Sequence, residues 1–451
     1  MPKIKVKVIG AGLAGCEAAM QLARRGFSVE LHEMKPEKFS PAHKYKGFAE
    51  LVCSNSLKAS RVDSACGLLK EEMRRFGSVI CEAAEKTSVP AGGALAVDRF
   101  LFSDEVTRIV TAHPNITVIS GEVTEFPEGN AVICTGPLTD GKFAERIREK
   151  CGNYLSFYDA AAPIVTAESV DFSIAFCQSR YDNGGADYVN CPMNKEEYDA
   201  FYNALINAEG APLHEFDVPE EAAGLKVYEG CMPVEVLAKR GYDSVRYGCM
   251  KPVGLVDPRD GKRPYAAVQL RKEDAEGTLL NLVGFQTNLK FGEQKRVFSM
   301  IPGLANAEFV RYGVMHRNSF LNSPQVLDRN FMLKGSEPGL NIFFGGQITG
   351  VEGYVESAAS GIMAGRALAD ILEGKQPLVF PETTMMGALA RYVSQSWSSN
   401  FQPMGSNMGI LPPLGEDFRG KDGKQRKYQA LAERSLKDLS VALGSVKQEN
   451  I

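Results

Sequence analysis

Residues 4–15, IKVKVIGAGLAG, decide the fold of this chain. The run 4–9 is rich in apolar residues and predicts a strand, which enters the turn Gly10-Ala11-Gly12-Leu13-Ala14-Gly15 of the form GxGxxG. Apolar residues then recur at helical spacing as far as Gly26, and a second strand-like run, 27–31, ends near Glu33. Strand, glycine turn, helix, strand and acid in this order predict a Rossmann-like dinucleotide site.

Each glycine of the turn has its own physical task. Gly10 allows the tight turn, Gly12 lets the backbone approach a pyrophosphate, and Gly15 lets the helix pack closely on the strand. The N-terminus of the helix attracts the anion, and Glu33, eighteen residues after Gly15, is placed to bind a ribose. A glycine turn formed by chance is the alternative, and the ordered flanking elements argue against it.

Later segments favour FAD over NAD. The run 130–136, NAVICTG, is a buried-strand pattern that ends in Thr135-Gly136 and resembles the Ala-Thr-Gly segment of two-dinucleotide-type flavoproteins. The run 341–347 ends in Gly346-Gln347, where flavoproteins usually carry Gly-Asp beside the ribityl chain, so an amide would make that contact here. Residues 350–367 are rich in small side chains, as in a helix packed against a sheet and a cofactor, although an ordinary packing helix has the same composition.

These segments predict an α/β fold in which a Rossmann-like, two-dinucleotide-type FAD-binding domain is interrupted by a smaller inserted α/β domain. The predicted division is 1–160 for the first part of the FAD domain, 161–324 for the inserted substrate domain, 325–375 for the second part, and 376–451 for a C-terminal tail packed on the FAD domain.

Composition bounds the function. The chain has 451 residues, 44% hydrophobic and 24% charged, which is typical of globular domains. The N-terminus lacks a signal peptide, and no run approaches the ~20 apolar residues of a membrane span. The ten cysteines show no CxxC pairs, which favours reduced thiols, a cytoplasmic location and no metal site. A net charge of −4 gives no general attraction to DNA or RNA, so RNA binding would need a local basic face.

The predicted insertion offers such a face. Residues 195–208 have helical spacing behind the N-cap residue Asn194, and cations and aromatic rings are interleaved after them. Cations for phosphates and rings for bases are typical of an RNA-binding surface, although a solvated surface with neutralising acids explains the pattern equally well. The residues are Lys239, Arg240, Tyr242, Arg246, Tyr247, Lys251, Arg259, Lys262, Arg263, Tyr265, Arg271, Lys272, Phe285, Lys290, Phe291, Lys295, Arg296, Arg311, Tyr312 and Arg317.

Five longer segments resemble one family. They are LVCSNSLK at 51–58, VPAGGALAVDR at 89–99, GCMPVE at 230–235, LVGFQT at 282–287 and GVEGYVES at 350–357. Together they resemble the folate- and FAD-dependent tRNA (uracil-5-)-methyltransferases, distant relatives of the GidA-type tRNA-modifying flavoproteins. The resemblance covers essentially the whole chain, and only the run 403–408 differs from it clearly in the C-terminal tail.

The resemblance implies an enzyme that methylates C5 of uridine 54 in the tRNA T-loop. Methylenetetrahydrofolate would supply the one-carbon unit, and FAD reduced by NAD(P)H would supply reducing equivalents. The implied partners are tRNA through its T-arm, folate and NAD(P)H, with no membrane and no DNA. A related branch modifies ribosomal RNA, so a uridine of 23S RNA is an alternative substrate.

The resemblance also implies the site residues. Cys231 maps to the nucleophile that adds to uracil C6, and Cys53 to a second participant that assists or guards the site. Arg99, Gly353, Tyr354 and Val355 fall on cofactor-binding segments. Tyr354 is a candidate ring for stacking on flavin or pterin, with an ordinary buried ring as the alternative.

Local electrostatics alone would choose a different cysteine. Cys231 lies between Glu229 and Glu235, and like charge raises a thiol pKa, whereas Cys249 has Arg246 and Lys251 nearby. The family pattern has proline where this chain has Cys249, so we choose Cys231 and treat Cys249 as incidental. A simple bend that contains a small apolar residue is the alternative interpretation of Cys231.

Two other functions remain open at this stage. A flavin oxidoreductase for a small molecule would turn over NAD(P)H without RNA. An RNA-binding protein with structural FAD would work without Cys53 and Cys231.

Overall fold

The structure is a computed structural model that describes residues 4–182, 185–211, 232–337, 339–395, 401–420 and 422–448. Its strands are β1 Lys5–Ile9, β2 Ser28–Glu33, β3 Ser56–Ala59, β4 Ser88–Val89, β5 Ala94–Val97, β6 Ile116–Ser120, β7 Ala131–Ile133, β8 Leu155–Ala160, β9 Ile164–Thr166, β10 Phe176–Cys177, β11 Tyr188–Met193, β12 Ala266–Lys272, β13 Leu279–Leu282, β14 Phe309–Arg311, β15 Met315–Phe320 and β16 Ile342–Phe344. Its α-helices are α1 Leu13–Arg24, α2 Ala65–Arg74, α3 Val79–Lys86, α4 Arg99–Thr111, α5 Gly141–Cys151, α6 Lys195–Ile206, α7 Val234–Lys239, α8 Tyr242–Tyr247, α9 Phe291–Phe298, α10 Ser323–Val326, α11 Tyr354–Leu372, α12 Met385–Gln395 and α13 Gly423–Gln448.

The predicted opening forms the centre of a parallel sheet. Within the described residues this sheet has the order β16-β7-β1-β2-β6, and all of its pairs are parallel. The chain moves outward from β1 to β2 and β6, and then returns to the other side of β1 with β7. A crevice therefore opens at the carboxyl ends of β1 and β7, where doubly wound sheets bind their ligands. The Rossmann-like fold class is confirmed.

The small-residue helix predicted after β16 packs directly on α1. A Cβ at Gly361 of α11 would lie 2.1 Å from the carbonyl oxygen of Ala14, and one at Gly365 would lie 2.7 Å from Cα of Ala18. The helix begins at Tyr354 and not near Gly350, because Gly350 and Gly353 adopt φ of +83° and +120°, which interrupt a right-handed helix.

A second sheet forms between β8 and β15. It is antiparallel, with the order β10-β11-β12-β13-β9-β14 among the described residues, and α6 to α9 accompany it. It has a hydrophobic core of its own, which includes Phe201, Phe285 and Phe298. Asn194 caps α6 as predicted, because its side chain accepts from the Glu197 amide at 2.8 Å. The exact domain boundaries stay a prediction.

The C-terminal helices pack on the parallel-sheet half through one buried carboxylate. Glu72 of α2 accepts from the amides of Met385 and Met386 at 2.7 and 2.8 Å, and from the hydroxyl of Ser435 at 2.5 Å. It therefore caps α12 and binds α13 at once. None of the helices among the described residues combines the length and hydropathy needed to cross a membrane.

Candidate active site

A cleft of about 460 Å³ opens at the carboxyl ends of β1 and β7. Most of the predicted cofactor residues line it, and so does Cys53. The residues from the sequence prediction in its wall are Gly10, Ala11, Gly12, Leu13, Ala14, Glu33, Cys53, Thr135, Gly136, Gly346, Gln347, Gly353, Tyr354 and Val355. The volume falls in the ~300–1,000 Å³ range of small-molecule sites.

The three glycines of the turn differ in the space around them. Gly10 has φ of +96°, and a Cβ there would lie 2.5 Å from the carbonyl oxygen of Cys134. A Cβ at Gly15 would lie 1.8 Å from the carbonyl oxygen of Gly10, so Gly15 packs the helix on the turn and lies outside the cleft wall. Nothing lies within 4 Å of a Cβ at Gly12, so this position faces open space.

The predicted ribose-binding acid is held by backbone amides. Glu33 ends β2 and is buried, and its carboxylate oxygens accept from the amides of Ala11 and Lys35 at 2.8 and 2.9 Å. The carboxylate is therefore fixed at the cleft wall beside the glycine turn, with further lone pairs available for a ligand hydroxyl.

Two further observations show that the cleft fits a dinucleotide. The N-cap residue of α1 is Gly12, so no side chain caps this end of the helix, and the first turn carries no acidic residue. The N-terminus of α1 can therefore bind an anion. His32, in the same wall, has a buried Nε2 atom with no hydrogen-bond partner among the described residues. Such a buried nitrogen is available to a ligand in the cleft.

The turn before α11 also belongs to the cleft wall, and it lies close to the glycine turn, since a Cβ at Gly346 would lie 3.2 Å from the side chain of Ala14. Gly346 has φ of +85°, and the side-chain amide of Gln347 donates to the carboxylate of Glu352. Gln347 thus occupies the position of the usual flavoprotein Asp, and the carboxylate next to it in the structure is that of Glu352.

Cys53 lies in the cleft wall, against the hydroxyl group of Tyr354. The Tyr354 oxygen lies 3.0 Å from Sγ of Cys53, and it accepts from the amides of Cys53 and Ser54 at 2.8 and 3.3 Å. Tyr354 therefore does more than present a ring to the cleft, because its hydroxyl group fixes the loop that carries the cysteine.

Three arginines hold the Cys53 loop through hydrogen bonds. Arg99 donates to the carbonyl oxygens of Leu51 and Val52 and pairs with Glu273 at 2.9 Å. Arg99 is buried and is not among the residues that line the cleft, so in this structure it holds the loop, and its part in cofactor binding stays a prediction.

Two of the supporting arginines come from the second sheet. Arg271 of β12 donates to Asn55 Oδ1 at 3.0 Å and to Ser54 Oγ at 2.9 Å. Arg311 of β14 donates to the carbonyl oxygen of Val52 at 2.7 Å. The antiparallel sheet thus positions a cysteine that belongs, in sequence, to the dinucleotide half.

Lys58 and Glu356 form a further pair at the cleft that sequence analysis did not single out. Their charged groups lie 3.3 Å apart, and Glu356 also accepts from the amide and hydroxyl groups of Ser406, at 2.9 and 2.6 Å. Both residues lie in the segments that carry the family resemblance. The signal that sets Lys58 apart is its φ of +61°, which only the structure reveals.

Cys231 and Glu229 lie outside the described residues. Glu235 is buried and accepts from Thr287 Oγ1 at 2.8 Å and from the Asn288 amide at 2.7 Å. The Val234 amide donates to the carbonyl oxygen of Gln286, whose residue lines the cleft. The chain directly after Cys231 is therefore anchored beside the cleft. The carboxylate of Glu235 is hydrogen-bonded to Thr287 and Asn288.

Burial disfavours the thiolate form of Cys249, although cations lie beside it in sequence. Burial raises the pKa of its thiol to about 12. The Arg246 guanidinium lies over the Tyr265 ring, 4.0 Å from the centroid, and pairs with Asp243. Arg246, one of the two cations expected to activate Cys249, is therefore engaged with other groups.

The predicted RNA-binding surface contains both paired cations and stacked rings. Several of the cations pair with acids, among them Lys290 with Glu209 at 2.6 Å and Arg296 with Glu293 at 2.6 Å. The rings of Phe309, Tyr312 and Phe291 form a stacked column, with centroid distances of 5.4 and 4.9 Å and interplanar angles of 9° and 17°. We call these three residues the aromatic column.

The chain resembles characterised proteins over almost its whole length. The family profile described as Glucose inhibited division protein A matches residues 5–376. A "Methylenetetrahydrofolate–tRNA-(uracil-5-)-methyltransferase TrmFO" from Acetivibrio thermocellus is 57% identical over 96% of this chain and 97% of its own. The protein of the same name from Halalkalibacterium halodurans is 55% identical over 96% and 97%.

A solved structure supports the fold independently. GidA from Aquifex aeolicus superposes with a TM-score of 0.67 over 99% of this chain and 76% of its own, at 15% sequence identity. The likeness at this identity concerns the fold.

Proposed function

The chain belongs to the methylenetetrahydrofolate–tRNA-(uracil-5-)-methyltransferase family of GidA-type proteins, and we propose on this basis that it methylates C5 of uridine 54 in the T-loop of tRNA. The observation that carries the proposal is a dinucleotide cleft with a cysteine, Cys53, in its wall. A flavin enzyme for a small molecule has no need of that thiol or of the family segments around it.

Cysteine chemistry explains how such a cleft can activate uracil. C5 of uracil is a poor nucleophile, and addition of the Cys231 thiolate to C6 makes an enolate whose C5 can attack an electrophilic methylene. Loss of the C5 proton would then let the bond between the methylene and its carrier break, a hydride added to that carbon would make it a methyl group, and departure of the thiolate would restore the C5–C6 double bond. When bound, methylenetetrahydrofolate supplies the one-carbon unit and FAD, recharged by NAD(P)H, supplies the reducing equivalents.

Different residues of the cleft wall suit different parts of FAD. The helix N-terminus behind Gly12 suits the pyrophosphate, and Glu33 suits the ribose of the adenosine half. Gly346 and Gln347 suit the ribityl chain and line the same cleft as Cys53 and Tyr354. This arrangement would place the reactive half of the cofactor beside the thiol.

The second sheet supplies the surface on which we propose that the tRNA T-arm docks. The aromatic column flanks Arg311, and Arg311 contacts the Cys53 loop through Val52. The aromatic column is thus linked through Arg311 to the loop that carries Cys53. A tRNA substrate fits a cytoplasmic location.

The decisive test is methylation in vitro with methylenetetrahydrofolate, NAD(P)H and tRNA that lacks the modification, with ribosomal RNA in parallel. We expect methyl transfer to uridine 54 of tRNA only. Methylation of ribosomal RNA alone would move the protein to the related branch. Steady NAD(P)H oxidation without RNA methylation would favour a small-molecule oxidoreductase.

We expect Phe291→Ala to weaken tRNA binding. The Phe291 side chain is 55% exposed and ends the aromatic column, and stacking of one base on a ring contributes ~1–3 kcal/mol, so the KM for tRNA should rise at least about fivefold while kcat stays unchanged. Steady-state methylation kinetics measure both constants.

Phe172→Ala is the matched control. Phe172 is 52% exposed and lies in the turn between β9 and β10 of the second sheet, and it does not belong to the aromatic column. Equal KM values in the two variants would contradict docking on the aromatic column. A fall in kcat alone would do so as well.

A further inference from the structure

The hydroxyl group of Tyr354 has no free lone pair. A phenol oxygen accepts two hydrogen bonds and donates one, and here it accepts from the amides of Cys53 and Ser54. The remaining contact of this oxygen is with Sγ of Cys53 at 3.0 Å. The proton in that contact must therefore come from Tyr354, and the sulfur is the acceptor.

Tyr354 keeps this proton under ordinary conditions. Burial raises the pKa of Tyr354 well above its usual value, and the neighbouring Cys53 raises it further. A donor that stays protonated favours the charged form of its acceptor, because a hydrogen bond to a thiolate is stronger than one to a thiol.

The side chains that hold the Cys53 loop carry an excess of positive charge. Arg99, Arg271 and Arg311 all contact the loop, and Glu273 pairs with Arg99. Among the described residues, neither Arg271 nor Arg311 forms an ion pair of its own, and the single Glu273 carboxylate acts on all three arginines. Partly buried charges of one sign need a counter-charge, and a thiolate at Cys53 would provide it.

We propose that Cys53 rests as a thiolate, stabilised by the O–H of Tyr354 and by the arginines behind its loop, and that Tyr354 is a positioning residue for the sulfur. The inference deepens the proposed function by assigning a charge to the second cysteine, and its part in methylation rests on that function. The ionisation itself requires no RNA.

Other charged groups reach the sulfur from each element packed around it. Cys53 interacts with Arg99 of α4 and Arg311 of β14, where its negative charge opposes the effect of burial on both arginines. Lys58 of β3 and Glu352, just before α11, share the cleft, and each is engaged with Glu356 or Gln347. Glu273 directly follows β12 and pairs with Arg99, and because its carboxylate also acts on Arg271 and Arg311 it offsets part of the positive charge around the loop.

The test is the pH dependence of alkylation of Cys53 by iodoacetamide in the flavin-bound protein. Thiolate sulfur displaces iodide from the reagent, and mass spectrometry of the Cys53 peptide follows this site apart from the other thiols. We expect a midpoint at least about one pH unit below the ordinary thiol value of ~8.5. Tyr354→Phe should raise the midpoint by about one unit or more.

Two comparisons separate ionisation from structure. A merely looser loop would change the plateau rate at high pH and leave the midpoint in place. Tyr392→Phe removes a tyrosine hydroxyl that donates to the carbonyl oxygen of Gln402, in the C-terminal tail, and should not shift the midpoint. Arg311→Met should raise the midpoint, and Arg311→Lys, which keeps the charge, should restore it.

An ordinary midpoint in the wild-type protein, or an equal midpoint in Tyr354→Phe, would overturn the inference. Flavin absorbance and thermal unfolding confirm that each variant is folded. A low midpoint in a protein that fails to methylate RNA would count against the proposed function and leave the thiolate established.

Discussion

Cys231→Ala should abolish methylation of tRNA and leave a folded, yellow flavoprotein. Without a thiolate to add to C6, uracil C5 has no route to nucleophilic character, so the methylation rate should fall at least about 10⁴-fold, as expected for loss of a covalent nucleophile. The same variant should no longer form a covalent complex with RNA that contains 5-fluorouridine. Transfer of label from folate and gel shift of the fluorinated RNA measure the two effects.

Cys249→Ala is the matched control for this prediction. Cys249 lies in a similar Gly-Cys-Met context, but burial raises the pKa of its thiol to about 12, so its loss should leave the methylation rate within a few-fold of wild type. Full activity of Cys231→Ala would end the assignment of the nucleophile. Loss of bound flavin in that variant would show instead that the segment has a structural task.

Gly15→Ala should destabilise the protein and release its flavin, whereas Gly12→Ala should only weaken flavin binding. Alanine at position 15 would gain up to ~1 kcal/mol of helix propensity, but its Cβ would lie 1.8 Å from a backbone oxygen of Gly10. Neither backbone can yield, so overpacking outweighs propensity, and the free energy of unfolding should fall by about 3 kcal/mol or more. Denaturant unfolding of the flavin-free proteins measures this directly.

Gly12 separates cofactor binding from packing. Its φ of −72° suits alanine and nothing of the protein lies within 4 Å of the added Cβ, so flavin-free stability should change by less than ~1 kcal/mol. The methyl group would occupy the room left for the pyrophosphate, so the Kd for FAD should rise at least about tenfold. Unchanged FAD affinity in Gly12→Ala would contradict the proposed placement of the cofactor.

The opening motif could be predicted because it is local. Gly10, Gly12, Gly15 and Glu33 lie within one βαβ unit, and the geometry of that unit follows from the chain around it. The start of α11 could not be predicted to the residue, since the positive φ of Gly350 and Gly353 depends on what packs against the turn. Burial likewise determines the pKa of the Cys249 thiol, which it raises to about 12, whereas the cations beside Cys249 in sequence suggested a lowered pKa.

The sequence by itself determined the family and the dinucleotide half, because long motifs and their spacing carry that information, and it predicted the roles of Cys53 and Cys231. Only the tertiary structure decided which groups act on Cys53. Tyr354 lies about 300 residues away in the chain, and Arg271 and Arg311 come from another sheet. Hydrogen bonds and charges act over a few ångströms in space, so the partners of a thiol are fixed by the packing of the two halves and not by its neighbours in sequence.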